Sequence, residues 1–248
     1  CTIESIFTLK EIGLDARHKQ LEPDMLELRW RYGVVNATDY TAPKSSPEIL
    51  DDKIYLGSDQ GKMLCLDFSG KLLWEFKTDY HPYGVHSSPI IAENKVIFAG
   101  YDGSIYAIDK NDGSLIWKNK ASSFNGSSPV YDAETQLVYI GLENRTLRGS
   151  MAALNLEDGS MVWEFVTNSH VPCRAAVENN IVVFGSNDCF IYACKKTDGE
   201  SIWKFRTNGE IKGRITIDDN LCYATSFDGF LYCLDLKGKL VWKRKLGN

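Results

Sequence analysis

The chain has 248 residues, 44% hydrophobic and 25% charged, with a formal net charge of −5. This is the composition of a folded globular protein, long enough for one large all-β domain or two ordinary ones. The acidic balance disfavours non-specific binding to nucleic acid or to an anionic membrane surface, no run of about 18 apolar residues offers a transmembrane span, and no stretch reads as a secretory h-region.

The cysteines are Cys1, Cys65, Cys173, Cys189, Cys194, Cys222 and Cys233. Cys65, Cys194 and Cys233 lie in strand-like runs (MLCLD, IYACK, LYCLD), where a free thiol behaves as a small buried hydrophobe. No CxxC pair suggests a zinc ribbon or a thioredoxin motif. Reduced thiols point to a reducing compartment, so a cytoplasmic location is expected. Cys1 is read as the trimmed end of a longer chain. The alternative is a lipoprotein cysteine, which would place the chain in the periplasm on a lipid anchor. The sequons at Asn36, Asn125 and Asn144 carry little weight without a leader.

In chain order, residues 1–35 read as a linker or a partial blade. Trp30, in LELRWRYGV, looks like a fourth strand, and the three strands before it are not recognisable; they are expected to belong to a longer parent chain, the alternative being that residues 1–35 complete a degenerate blade. The run Leu9 to Met25 is amphipathic and reads as a helix or an irregular linker. From residue 36 to 248 the chain repeats. Trp30, Trp74, Trp117, Trp163, Trp203 and Trp242 recur every 39–46 residues. Five of them close a common frame: CLDFSGKLLW, AIDKNDGSLIW, ALNLEDGSMVW, ACKKTDGESIW and CLDLKGKLVW. Upstream of each frame stands a short apolar run (KIYLGS, KVIFAG, LVYIGL, IVVFGS, LCYATS), and before that another, opened by SSPEI, SSPII, SSPVY, CRAAV or GRITI. Each Trp opens a further strand. Four short strands per ~40–45 residues are the pattern of propeller blades. The expected fold is therefore an all-β propeller of four-stranded antiparallel blades, five complete and one partial at the N-terminus. The rings of Trp74, Trp117, Trp163, Trp203 and Trp242 are expected to dock between neighbouring blades, with a small residue (Cys65, Ala107, Ala153, Ala193, Cys233) making room and a turn glycine completing the frame.

These residues resemble the pyrroloquinoline-quinone-type, or quinoprotein-like, propeller repeat, with its A-x-D-x-x-x-G-x-x-x-W docking motif. The resemblance covers residues 44–248 and is specific for the fold rather than for a function. Asn155 and Lys195 replace the motif's Asp, so their blades are expected to dock less well. The enzymes of that family imply a quinone cofactor, a calcium ion, an aspartate base and adjacent ring cysteines. No Cys-Cys pair is present, and no position matches the base. A non-enzymatic branch is expected, with no cofactor and no quinone bound.

Other chemistry is weakly signalled. His18, His81, His86 and His170 lack metal spacing. Asp109 to Gly113 (DKNDG) imitates a calcium loop but lacks its final acid, and reads as the repeat's turn. No nucleophile elbow or phosphate loop occurs.

Binding is the remaining expectation, and it falls where blades depart from their consensus. The connections before Ser46 and Ser88 are longer than the others and carry Tyr40, Tyr80, His81 and Tyr83. The third blade adds residues between Gly141 and Ala153, bringing Arg145 and Arg148. The first strands open with Lys44–Ser46, His86–Ser88, Gly126–Ser128, Pro172–Arg174 and Lys212–Arg214. Lys44, His86, Arg174, Lys212 and Arg214 are therefore expected to converge at the channel mouth. The bland alternatives are that the serines cap strand ends, that Arg174 and Arg214 pair with Asp188 or Asp228, and that the tyrosine loop packs on its own blade. The expected function is a non-catalytic scaffold that recognises a protein or peptide on this face. The alternatives are a sensor of a small anionic ligand in a basic funnel and a fragment of a quinone-dependent dehydrogenase.

Overall fold

A computed structural model describes residues 7–9, 26–28, 30, 32, 44–79, 83–146 and 148–247. Strands β1 (Phe7–Leu9) and β2 (Leu26–Leu28) pair antiparallel. The expected helix or linker between them lies outside the described residues, apart from Leu9 at the end of β1. Five four-stranded antiparallel sheets follow among the described residues. The first contains β3 (Glu48–Leu50), β4 (Lys53–Ser58), β5 (Lys62–Asp67) and β6 (Leu72–Lys77). The second contains β7 (Ile90–Ala92), β8 (Lys95–Ala99), β9 (Ser104–Asp109) and β10 (Leu115–Lys120). The third contains β11 (Val130–Asp132), β12 (Leu137–Glu143), β13 (Gly149–Asn155) and β14 (Met161–Thr167). The fourth contains β15 (Ala176–Glu178), β16 (Ile181–Gly185), β17 (Phe190–Lys195) and β18 (Ser201–Arg206). The fifth contains β19 (Thr216–Asp218), β20 (Leu221–Thr225), β21 (Phe230–Asp235) and β22 (Leu240–Lys245). Each sheet is a simple meander, and the first strands of successive sheets lie side by side. The fold is a β-propeller.

Burial follows from stacking. The middle strands β8, β12 and β13 are buried along almost their whole length, because blades cover both of their faces, as in other two-sided sheets. The fourth strands β6, β10 and β14 expose alternate residues and bury their tryptophan.

The tryptophans fix the stacking. Each sits directly across from its blade's small residue: Trp74 from Cys65, Trp117 from Ala107, Trp163 from Ala153, Trp203 from Ala193 and Trp242 from Cys233. A bulge at this pair throws the preceding residue outward; Ile116 is 38% exposed while Trp117 is 7% exposed. The indole then reaches the next blade. Nε1–H donates to Lys110 O from Trp74 (3.2 Å), to Leu156 O from Trp117 (2.8 Å), to Lys196 O from Trp163 (3.0 Å) and to Leu236 O from Trp203 (2.9 Å). Trp30 makes the same bond to Phe68 O, at 2.5 Å. The turn glycine lies beneath the ring: at Gly159, φ is +69° and a Cβ would stand 2.4 Å from Trp117 Cε3. That backbone region resists other residues, and the indole fills the space a side chain would need.

Two expectations change here. Trp242 is 40% exposed, because no described blade follows the fifth. The blades with Asn155 and Lys195 dock no more loosely than the rest. The Asn155 carboxamide oxygen still accepts the Glu157 N–H at 2.8 Å, and in the fourth blade Asp198 accepts the Glu200 N–H at 2.9 Å. Both turns keep their shape.

Candidate functional site

The residues that open the first strands come together around the axis. Ser46, Pro47, Glu48, Ser88, Ser128, Pro172, Arg174, Lys212 and Arg214 line one cavity of about 390 Å³, to which all five blades contribute. The serines do more than end strands. Ser46 N–H donates to Ser88 Oγ and Ser88 N–H donates to Ser128 Oγ, both at 2.9 Å, so each hydroxyl clasps the preceding blade. At the fourth blade Arg174 takes the serine's place. A guanidinium accepts no hydrogen bond, and the clasp stops. The next junction is held instead by Ile215 N–H donating to Arg174 O at 3.0 Å.

Arg174 and Arg214 stand together without neutralisation by the acids expected from sequence. Asp188 accepts Tyr192 Oη (2.7 Å) and Asp228 accepts Tyr232 Oη (2.6 Å). Arg174 Nε is buried without an acceptor among the described residues. Burial, then the charge of Arg214, lower the Arg174 pKa, and Glu48 offsets part of this. Lys212 pairs with Glu210 at 2.6 Å and lies 4.8 Å from the Phe227 ring centre.

A second cavity opens among the connections. Tyr83, Ser123 and Phe124, from links between blades, and Tyr101 and Arg145, from links between second and third strands, line about 220 Å³. Tyr101 stacks on Phe124 (6.1 Å between centroids, 19° between planes) and meets Tyr83 edge-on at 5.6 Å. The row continues to His86, 4.4 Å from Tyr101, and to His170, 5.3 Å from Phe124.

Each histidine is backed by an acid. His86 Nε2 lies 3.2 Å from Asp59 Oδ1, both side chains being almost fully buried. His170 Nδ1 lies 3.8 Å from Glu143 Oε2. Burial raises the pKa of Asp59, with the Lys44 charge opposing it. Burial likewise raises that of Glu143, opposed by the Gly126 N–H (2.9 Å) and the His170 charge. A carboxyl with a raised folded pKa holds its proton longer in the native state. Its contribution to stability therefore falls as pH rises from the ordinary glutamate range through the folded pKa. Glu143→Gln keeps the acceptor for Gly126 and is expected to flatten this part of the stability–pH curve. Urea unfolding at a series of pH values between about 4 and 7 checks it, and an unchanged slope counts against the burial argument.

The structure thus divides the expected residues between two cavities. Arg174, Lys212 and Arg214 line the channel, whereas Tyr83 and Arg145 line the aromatic cleft. Lys44 and His86 are not among the residues lining the channel, contrary to expectation: Lys44 is exposed, and the His86 imidazole lies against the buried Asp59 carboxylate. Arg148 is exposed and lines neither cavity; its carbonyl closes the turn by accepting Asn144 N–H at 3.2 Å. Tyr40, Tyr80 and His81 lie outside the described residues. Sequence reasoning missed Tyr101, Phe124 and Asp59. Aligning the links after the second strands would have found two of them: Tyr101 and Asp59 stand where the fourth blade has Asn187.

The channel does not fit a calcium-bound planar quinone. Among its described lining residues Glu48 is the sole carboxylate and no aromatic plane is available for stacking.

Comparison with known proteins agrees with the propeller fold. A family model described as outer membrane protein assembly factor BamB matches residues 27–171 and 148–248. A Legionella pneumophila protein of that name is 32% identical over 89 residues, covering 32% of this chain and 23% of its own. The dehydrogenase subunit of a Gluconobacter oxydans quinone alcohol dehydrogenase is 26% identical, covering 46% of this chain and 24% of its own. The chain thus spans about a quarter of the length of these curated relatives. The crystal structure of BamB from Moraxella catarrhalis superposes with a TM-score of 0.70 at 17% identity, over 89% of this chain and 68% of that one. The cytoplasmic location expected from the cysteines is overturned, because the matching family and the Legionella relative are named for outer membrane assembly. The thiols were a poor guide. Burial pushes Cys173, Cys194 and Cys222 up to about 12, which makes them inert whatever the compartment.

Proposed function

Because the chain belongs to the family of the outer membrane protein assembly factor BamB, we propose that it is a non-catalytic propeller that holds a protein partner on the face carrying the channel mouth. The aromatic cleft carries this reading. Tyr83 and Arg145 are exposed, and Tyr101 and Phe124 are partly so. Rigid aromatics and an arginine grouped in a concave patch are the residues that dominate binding energy at protein interfaces. The row is held from behind by the buried His86–Asp59 contact, so its rings need little ordering on binding. The occupant is an extended peptide segment of the partner, with an apolar side chain for the cleft and an acid for Arg145.

The test compares the wild-type chain with Tyr101→Ala and Arg145→Glu for retention of partners from an envelope extract, read by quantitative mass spectrometry. A hot-spot aromatic lost to alanine costs about 2 kcal/mol, about a 30-fold loss of affinity. The partner retained by wild type is expected to disappear from both variants. Equal retention by all three proteins would remove the cleft from the argument. The dehydrogenase reading makes the opposite demand, namely an absorbance change when quinone and calcium are added, and none is expected.

A further inference from the structure

We propose that the channel mouth is a second, independent site that binds a small oxyanion, a carboxylate or a phosphate, between Arg174 and Arg214. The ring of channel positions shows what was exchanged. In the first three blades a serine occupies the position, and the hydroxyls of Ser88 and Ser128 each accept a backbone N–H from the blade before. The fourth and fifth blades carry arginine there, which ends the clasp and sets two like charges side by side. Each charge repels the other, and one is partly desolvated. Neither effect is favourable in itself. Both turn favourable when an anion enters, because forked guanidinium donors pair with carboxylate and phosphate oxygens in two parallel bonds.

Three observations point to a ligand rather than to a structural role. Arg174 Nε is buried with no acceptor among the described residues, and a buried donor left unpaired is costly. The acids at hand are otherwise engaged: Asp188 and Asp228 serve tyrosines and backbone N–H groups, and Glu210 serves Lys212. Glu48, the one carboxylate among the described lining residues, acts on Arg174 and leaves the two arginines in excess. The cavity, about 390 Å³, holds far more than an ion, so a small organic acid or phosphate ester fits with its charged end on the arginines. The serine side chains of the ring lie on the wall facing its remainder.

This site does not rest on the protein-binding reading, and its test separates the two. Inorganic phosphate and succinate are titrated separately at low ionic strength, where charge pairing is least screened, and binding is followed by calorimetry and by amide chemical shifts. Saturable binding of at least one anion is expected, and which of the two binds more tightly assigns the ligand class. Arg174→Ser supplies a hydroxyl where the first three blades have one. It is expected to weaken binding at least tenfold while leaving the thermal midpoint unchanged or higher. Arg214→Gln, at an exposed position, is expected to weaken binding similarly, and it decides the matter alone if Arg174→Ser does not fold. Tyr101→Ala is expected to leave anion binding unchanged. The proposal is overturned if neither anion binds, if Arg214→Gln binds as tightly as wild type, or if Tyr101→Ala weakens binding as much as the arginine variants do.

Discussion

Trp117→Ala is expected to lower the free energy of unfolding by about 3–5 kcal/mol, and Trp242→Ala by only about 1 kcal/mol. The two residues occupy the same place in the repeat, each across from a small residue at the same bulge. Their environments differ by one neighbour. Trp117 is 7% exposed and donates to Leu156 O over Gly159 of the following blade. Removing it leaves a cavity between two blades and an unused carbonyl. Trp242 is 40% exposed, lies 6.1 Å from the Tyr223 ring, and has no described blade beyond it. In a repeat fold stability is roughly a sum of blade terms and neighbour terms, so the difference between the two variants measures one blade-to-blade junction. Urea unfolding followed by tryptophan fluorescence and by circular dichroism gives both values. Equal losses at the two positions would mean that the indole acts within its own blade, and the account of stacking would be wrong.

The repeat made the fold legible because it samples one environment five times. A large ring, a small residue and a turn glycine at fixed offsets are hard to satisfy together except where blades stack. The site was legible only where it follows the same register. Arg174 and Arg214 stand at repeat positions already aligned with Ser46, Ser88 and Ser128, and they reach the channel. His86 is also at an aligned position, yet its imidazole lies against a buried acid from another connection, Asp59. No spacing in the chain announces that contact, since it joins residues 27 positions apart across two different connections. Phe124 and Tyr101 were missed for a similar reason. Each is a single aromatic in an otherwise polar link, and their value comes from stacking on each other.

The strand glycines hold a second junction that the sequence displayed without explaining, and Gly141→Ala tests it. The runs KIYLGS, LVYIGL and IVVFGS each place a glycine near the end of the second strand. In the structure an apolar residue from the link to the next blade presses on each one. A Cβ at Gly57 would stand 2.5 Å from Val85 Cγ1, at Gly185 2.1 Å from Ile211 Cγ2, and at Gly141 1.9 Å from the Val171 carbonyl oxygen. At Gly57 the nearest atom is a side-chain methyl, with the Val85 Cβ and carbonyl oxygen at 3.0 Å, whereas at Gly185 the Ile211 Cβ itself would stand 2.4 Å away. At Gly141 the nearest atom is backbone, so the link itself must move. Val171 is fully buried, two residues before Cys173, whose Sγ accepts the Gly185 N–H at 3.0 Å; displacement at Gly141 therefore carries into the start of the fourth blade. Overpacking of a tight core costs about 1–3 kcal/mol, and Gly141→Ala is expected at the upper end. Gly57→Ala, facing a methyl, is expected to cost about 1 kcal/mol on the same scale. The displaced link runs into Pro172 and Arg174 on the channel wall, so Gly141→Ala is also expected to weaken anion binding, whereas Gly57→Ala leaves it intact. Unfolding and phosphate titration on the same two variants check both halves. Gly141→Ala as stable as wild type would show that the link yields freely, and the channel arginines would then lack the rigid seat that the anion site requires.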